Sequence, residues 1–376
     1  MSETRKRLRD ARRWIIKVGS SILTDDGQGL NHDLISAWTA DINALLAEGR
    51  EVVLVSSGSI TEGLVRLGWQ EKPTAVNELQ AAAAVGQMGL VQAYERCFHA
   101  FNRNTAQILL TYDDITDRRR YLNARATLNT LIEHGVVPVV NENDTVTTAE
   151  IKLGDNDTLA AQVANLIDAD AMVLLTDQNG LYNKDPRKHS DAVLLERADA
   201  SDPSVQQLAG PSGTTFGSGG MSTKVLAAER AAQAGTTTVV ACGREPNIIA
   251  RLATGEPLGT MFTSQQAPVD ARKRWLANHL RSSGELELDE GACKALRTQG
   301  VSLLAVGVKN CRGEFSRGEL VSCIAPDGKL VARGLTNYNA SQIRQLKGLP
   351  SDQFVEVMGY AMEPELIHRD NLVVNR

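Results

Sequence analysis

What this sequence lacks narrows it first. Its five cysteines, Cys97, Cys242, Cys293, Cys311 and Cys323, are odd in number and far apart, and no two form a CxxC pair. Neither a disulfide framework nor a cysteine zinc site is expected, and a reducing cytoplasm fits. Long apolar runs are missing too: none reaches the roughly 18 residues of a membrane-spanning helix, so no membrane association is expected. The opening residues MSETRKRLRDARR are basic, but the apolar run behind them is broken within four residues by Lys17, too short for a signal-peptide core. An excess of positive charge is also missing. Forty Lys and Arg stand against 45 Asp and Glu, a net charge of -5, which gives no electrostatic reason to expect nucleic acid or an acidic membrane surface as partner. No internal repeat or low-complexity tract stands out. Small-molecule chemistry is the reading left.

What is there suits a soluble globular chain of two domains: 376 residues, 42% hydrophobic and 23% charged. From Trp14 to Phe262, short apolar β-branched runs (WIIKV, EVVLVS, AQILLT, VVPVVN, AMVLLT, TTVVAC) alternate with longer helical segments, several ending in Gly. Near-continuous apolar strands are those of a sheet covered on both faces, so the pattern predicts an α/β fold with a mainly parallel sheet sandwiched by helices. The texture changes near SQQAPVDARKRW. Beyond it GELELDEGACKALR, VSLLAVGV, GELVSCIAPDGKLVARGLT and FVEVMGY read as short strands punctuated by Gly, Asp-Gly and Pro, with a hairpin at Asp327-Gly328. The expected division is a first domain over 1–265, a linker over 266–281, and a small mainly β domain over 282–376. The last carries 11 Lys and Arg against 12 Asp and Glu, a net charge of -1 and a poor nucleic-acid surface.

In open α/β sheets ligands lie beyond the carboxyl ends of the strands. Five loops there share a polar, small-residue character: KVGSS after the first strand, Ser56-Ser57-Gly58 after the second, Asn141-Glu142-Asn143-Asp144, Asp155-Asn156-Asp157, and Thr176-Asp177. Singly, each has an ordinary reading as a turn or a helix cap. Lys17 stands inside an apolar strand, where an ammonium is costly without a partner, whether a structural salt bridge or a ligand. Gly19, two residues on, favours the ligand, because glycine lets a phosphate approach the backbone.

The stretch GSGGMSTK, residues 217 to 224, has the glycines and lysine of a phosphate-binding loop in a different order. It is a Gly-rich approach to a helix beginning near Met221, so free backbone N–H groups and the positive helix end converge where Ser218, Gly219 and Gly220 lie. Lys224 then falls in the first turn, against the helix dipole, which points to an anion nearby; a solvated surface lysine is the alternative.

Taken together, IIKVGSSIL, VSSGSI, PVVNENDTV, EIKLGDNDTLAA, LLTDQNGLYNKDPR and GSGGMSTK resemble the amino acid kinase family, and in particular its glutamate-phosphorylating members. The tail from GELELDEGACKAL to VARGLTNYNASQI is similar to a PUA domain. The resemblance covers essentially the whole chain. It implies transfer of the γ-phosphoryl group of ATP to the γ-carboxylate of L-glutamate, giving L-glutamyl 5-phosphate, the first step towards proline, with Mg2+ carried on the nucleotide. It places Lys17 and the loop Ser218, Gly219, Gly220, Met221, Ser222, Thr223, Lys224 at the nucleotide phosphates, Thr176 and Asp177 on the nucleotide side, and Ser57, Asp144 and Asn156 at glutamate. It further implies feedback inhibition by proline, with TVTTAEIKLGDND as its expected location, and a homo-oligomer. Ser59 and the pair Thr61-Glu62 depart from the family pattern.

These residues suit that reaction. A γ-carboxylate, with a reference pKa of about 4.3, is already ionised at neutral pH, so no general base and no His-centred constellation are required. Alignment and charge stabilisation remain, and Lys17 and Lys224 are expected to supply them, with Asp157 holding the two lysines in position or, on the plainer reading, capping a helix. Asp144 is expected to pair with the substrate's α-ammonium, and Asn156 and Ser57 to donate to its carboxyl groups. Rival readings are a kinase for acetylglutamate, aspartate or a nucleoside monophosphate, an RNA-binding protein, or an amino acid sensor without catalysis.

Overall fold

The apolar runs become the strands of one large sheet. The computed structural model describes residues 3–147, 156–210, 220–263, 282–360 and 363–375. In chain order the strands are β1 (Arg13–Val18), β2 (Glu51–Ser56), β3 (Thr105–Leu110), β4 (Val137–Glu142), β5 (Ala171–Thr176), β6 (Arg197–Asp199), β7 (Thr237–Cys242) and β8 (Thr260–Thr263). They lie in the order β3-β4-β2-β1-β5-β7-β8-β6, parallel throughout except where β8 runs against β7. All six expected strands are present. The short β6 and β8 add an edge that the apolar pattern does not announce.

Burial explains the near-continuous apolar reading. Every residue of β5 is buried, and β1 and β2 are buried after their first residue, as strands covered on both faces must be. One core cluster gathers Trp14, Ile16, Leu54, Val173 and Val239 from the strands with Ile35, Trp38, Leu90 and Phe98 from the helices. β1 pairs with β2 on one side and β5 on the other, so β2 to β4 and β5 to β8 lie on opposite sides of it, the kind of switch point at whose carboxyl ends open α/β sheets bind ligands.

By internal contacts the chain forms two compact units, residues 1–115 with 125–269, and residues 116–124 with 270–376. The second has its own core, including Leu286, Leu296, Val321, Tyr338 and Phe354. Its strands β9 (Gly284–Leu288), β10 (Val308–Gly313), β11 (Leu320–Ile324), β12 (Leu330–Leu335) and β13 (Leu372–Val374) are ordered β10-β9-β11-β12-β13 and antiparallel except β9 with β11. The hairpin at Asp327-Gly328 is present between β11 and β12, and Gly328 takes the left-handed φ of 83° that the turn requires.

Three expected strands differ. FVEVMGY is a helix over Phe354–Met358: only Phe354 is buried, so its alternation has no sheet face to serve, and Gly359 ends the helix at a φ of 78°. In GELELDEGACKALR the strand stops at Leu288, because Asp289 caps a helix over Glu290–Gln299 by accepting from the Ala292 N–H. VSLLAVGV carries only a single bridge from Leu303 to Ile367 and a 3-10 turn before β10 begins at Val308. All five cysteines are free, and among the described residues no helix is long and apolar enough to cross a membrane.

Candidate functional site

The carboxyl end of β1 carries Lys17, whose side chain is 6% exposed. Its register neighbours are Val55 and Leu174, which leave an ammonium no strand partner, so the side chain reaches to the helix Asn156–Leu166. There Lys17 Nζ lies 2.6 Å from Asp157 Oδ1, and Lys224 Nζ donates to Asp157 Oδ2 at 3.1 Å. The Thr223 hydroxyl is shared between Asp157 Oδ2 and the Gly220 carbonyl, each at 2.8 Å. One carboxylate thus grips two lysines from opposite ends of the fold.

Asp157 is fully buried. Burial by itself pushes its carboxyl up; the Lys17 and Lys224 ammonium groups, with hydrogen bonds from Lys17 and Thr223, outweigh that and hold it well below the usual carboxylate range. It is therefore not a simple cap: it sits at the second residue of its helix and its oxygens go to other elements.

Lys224 is also buried, in the first turn of the helix Met221–Gln233. That helix starts where the glycine-rich stretch ends, and its cap residue Gly220 supplies no side-chain hydrogen bond. Its first N–H groups and two ammonium groups therefore face the same region, an arrangement suited to an anion. Met221 and Ser222 are half-buried in the same turn. Ser218 and Gly219, expected in this loop, lie outside the described residues, as does most of the TVTTAEIKLGDND segment. Thr176, at the end of β5, is buried and donates to Asp177 Oδ1 at 2.9 Å, while Asp177 is exposed. β5 adjoins β1, which sets this pair one strand from Lys17.

A second group of residues forms beside the first, built of amides. Asn156 Nδ2 donates towards the Ser56 carbonyl at 2.9 Å, Asn141 Oδ1 at 2.9 Å and Ser57 Oγ at 3.0 Å. Asn141 Nδ2 in turn donates to Gln87 Oε1 at 2.7 Å. Ser57 is not a helix cap: that place is taken by Gly58, at a φ of 94°, where a Cβ would come within 3.0 Å of Thr24 Cγ2. The donor role expected for Asn156 towards a carboxylate differs from this geometry, because its NH2 group is already given to protein oxygens.

Asp144 accepts from Ser59 Oγ at 2.8 Å. Burial raises the Asp144 carboxyl above its ordinary pKa, and the Ser59 hydrogen bond offsets part of the rise. Ser59, expected to depart from the family pattern, finds its partner in Asp144. Its position is set by close packing of the helices Ser59–Leu67 and Val76–His99: a Cβ on Gly86 would lie 1.8 Å from the Ser59 carbonyl, and one on Gly63 1.7 Å from the Ala82 carbonyl.

The structure thus brings Lys17, Asp157, Thr223 and Lys224 together, and Ser57 with Asn156. It adds Asn141, Gln87 and Ser59, which the sequence reading did not assign. The signal for Gln87 was available: it is a lone amide in the small-residue helix stretch AAAAVGQMGL.

Comparison with known proteins gives the family. The amino acid kinase family model matches residues 12–242, and the PUA domain model matches residues 284–358. A glutamate 5-kinase of Thioalkalivibrio sulfidiphilus (strain HL-EbGR7) is 55% identical over 374 residues, covering 100% of each chain. A glutamate 5-kinase of Laribacter hongkongensis (strain HLHK9) is 56% identical over 366 residues, covering 97% of this chain and 98% of its own. Among solved structures, a UMP kinase from Bacillus anthracis overlaps 68% of this chain and 97% of its own at 17% identity and a TM-score of 0.49, too low a likeness to carry weight. By the match over residues 12–242 and by its full-length relatives, the chain belongs to the amino acid kinase family.

Proposed function

We propose that this protein phosphorylates the γ-carboxylate of L-glutamate with ATP, giving L-glutamyl 5-phosphate for proline biosynthesis. The observation that carries the reading is the convergence of Lys17 and Lys224 on Asp157 at the uncapped start of the helix Met221–Gln233. Phosphoryl transfer asks little covalent chemistry of a protein; it asks for alignment and for positive charge at the equatorial oxygens. Two ammonium groups held by one buried carboxylate are preorganised for that task, and the glutamate carboxylate attacks already ionised.

Within this reading Lys17, Gly220, Met221, Ser222, Thr223 and Lys224 meet the phosphates, together with Ser218 and Gly219, and Thr176 and Asp177 meet the rest of the nucleotide. A Cβ on Gly19 would meet nothing closer than the Leu175 carbonyl at 3.4 Å, so the protein itself hardly demands glycine there; an approaching phosphate does. Among the described residues no three His, Cys, Asp or Glu side chains gather as a metal cluster. Magnesium fits as a companion of the nucleotide, where it would neutralise phosphate charge, the protein's share being the lysines and backbone amides. Ser57, Asp144 and Asn156 take the amino acid. Its free α-ammonium calls for a carboxylate, which Asp144 provides and an acetylated substrate would not need.

The proposal extends to proline as feedback inhibitor, a homo-oligomer in the cytoplasm, and domains over 1–265 and 282–376 joined by 266–281; the separate cores of the two units support the last. Incubation with ATP, magnesium and hydroxylamine tests the reaction. Hydroxamate should form from glutamate well ahead of N-acetylglutamate or aspartate, and equal or faster trapping with either alternative would overturn the substrate assignment.

A further inference from the structure

The amide chain beside the lysines has a direction, and the direction can be read. A backbone N–H can only donate and a backbone carbonyl can only accept. The Glu142 N–H donates to Asn141 Oδ1 at 2.9 Å, so that atom is the oxygen of the amide and Asn141 Nδ2 faces Gln87. The Ser56 carbonyl accepts from Asn156 at 2.9 Å, so Asn156 turns its nitrogen inward, towards Ser56 and Asn141 Oδ1. Gln87 must then present Oε1 to Asn141. All three side chains are more than nine-tenths buried, at 8%, 1% and 8% exposure for Gln87, Asn141 and Asn156. One consequence is that Asn156 Oδ1 is buried with no hydrogen-bond partner among the described residues. A buried acceptor without a donor is a cost the fold carries unless a ligand relieves it.

We infer that Gln87 is a positioning residue for substrate specificity: by accepting from Asn141 it braces the amide chain that the Glu142 N–H and the Ser56 carbonyl orient, and so keeps Asn156 in the place where its acceptor Oδ1, and not its NH2, is left for the substrate. An acceptor suits the α-ammonium of an amino acid and repels a carboxylate. Asp144 rides on the same loops: it lies three residues past Asn141, and its partner Ser59 lies two past Ser57, which touches Asn156. Two acceptors, one charged and one neutral, would then meet the ammonium, with the Ser57 hydroxyl left to donate to a carboxylate. This inference rests on the amino acid kinase reading above and names how that site recognises its substrate.

The test compares Gln87→Leu, which removes the acceptor facing Asn141, with Gln87→Glu, which keeps one. Gln87→Leu should raise KM for glutamate about tenfold while KM for ATP stays within about twofold, and Gln87→Glu should remain within about threefold of the parent in both. A general loosening of the fold would move both KM values and would not be rescued by Glu. Glutamate KM within threefold of the parent in Gln87→Leu, a parallel rise in KM for ATP, or equal damage by both variants overturns the inference. A measurement on the unaltered protein covers the case of variants that do not fold. L-2-Hydroxyglutarate, whose hydroxyl can donate to Oδ1, should inhibit at least about threefold better than glutarate, which has no donor there; equal inhibition also overturns it. If the unaltered protein does not phosphorylate glutamate at all, the function itself fails, an outcome distinct from normal turnover with an insensitive Gln87.

Discussion

Two aspartates, the fully buried Asp157 and the half-buried Asp144, have carboxyls displaced in opposite directions. At Asp157 two lysines and a threonine hold the carboxyl below its usual range against the opposing effect of burial. At Asp144 burial wins, and the Ser59 hydroxyl offsets part of it. In the proposed reading the nucleotide end has Lys17 and Lys224 already paired with Asp157 before any ligand arrives. The proposed amino acid end is left short, with a raised carboxyl at Asp144 and, among the described residues, no partner for Asn156 Oδ1. The difference follows from the two tasks. Charge stabilisation in a transition state works best when nothing has to reorganise, whereas recognition of an ammonium works best when acceptors lack a better partner.

The comparison breaks most severely at Asp157. Asp157→Asn leaves two buried ammonium groups without their carboxylate, and it should destabilise the protein by roughly 3 to 5 kcal/mol, read by urea unfolding. kcat should fall about a thousandfold or more, since both lysines lose their anchor. The pH dependence gives the sign. A carboxyl whose folded pKa is depressed adds stability above its unfolded value near 3.9 and loses it as pH falls through the folded value. The parent should therefore lose stability in acid below about pH 4 by a component absent from Asp157→Asn. Parallel acid profiles for the two proteins would separate Asp157 from the charge cluster.

Next in size are the lysines. Lys17→Ala and Lys224→Ala should each lower kcat by about two orders of magnitude, with a smaller change in KM, because their charge is needed most in the transition state. A variant within threefold of the parent kcat takes that lysine out of the reaction.

At the other end, Asp144→Asn keeps the shape and removes the charge. kcat/KM for glutamate should fall about 30-fold, equivalent to about 2 kcal/mol, while KM for ATP changes little. Loss of ATP affinity with glutamate preference intact would reverse the assignment of the two ends.

The smallest effect sharpens the comparison. Ser59→Ala removes the hydrogen bond to Asp144 and should cost about 1 kcal/mol, or about fivefold in kcat/KM for glutamate. It should also move the acid limb of the kcat/KM profile to higher pH, because the hydroxyl holds the Asp144 pKa down and the reading requires its ionised form. For stability the sign is opposite to that at Asp157: a carboxyl whose folded pKa is raised favours the fold below its unfolded value and loses that contribution as pH rises to the folded one. An acid limb identical in Ser59→Ala and the parent would mean that Ser59 does not act through Asp144.

Much of the fold was legible because covered parallel strands must be apolar on both faces, and six runs of that kind became six strands. The second unit was less legible. FVEVMGY alternates like a strand, yet it meets no sheet face and forms a helix. Periodicity reports a preference for burial, and the surrounding chain decides whether a face exists to satisfy it. In the site, Lys17 was conspicuous as a charge in an apolar strand, and Lys224 as a cation at the wrong end of a helix. Gln87 was fainter: it is one of three glutamines in the helix Val76–His99, set apart only by the small residues around it until Asn141 is found opposite it.

The sequence by itself determined the alternation that makes the sheet, the loops at its carboxyl edge, and the two lysines whose placement needs an anionic partner. The tertiary structure decided which groups meet: it chose between the two readings of Asp157 by setting it against Lys224 across 67 residues, and it alone brought Ser59 to Asp144 across 85 and Gln87 to Asn141 across 54. It alone decided which end of each amide faces inward, too. The letter for asparagine states that a donor and an acceptor are present; their direction follows from the backbone groups that packing sets beside them, here the Ser56 carbonyl and the Glu142 N–H.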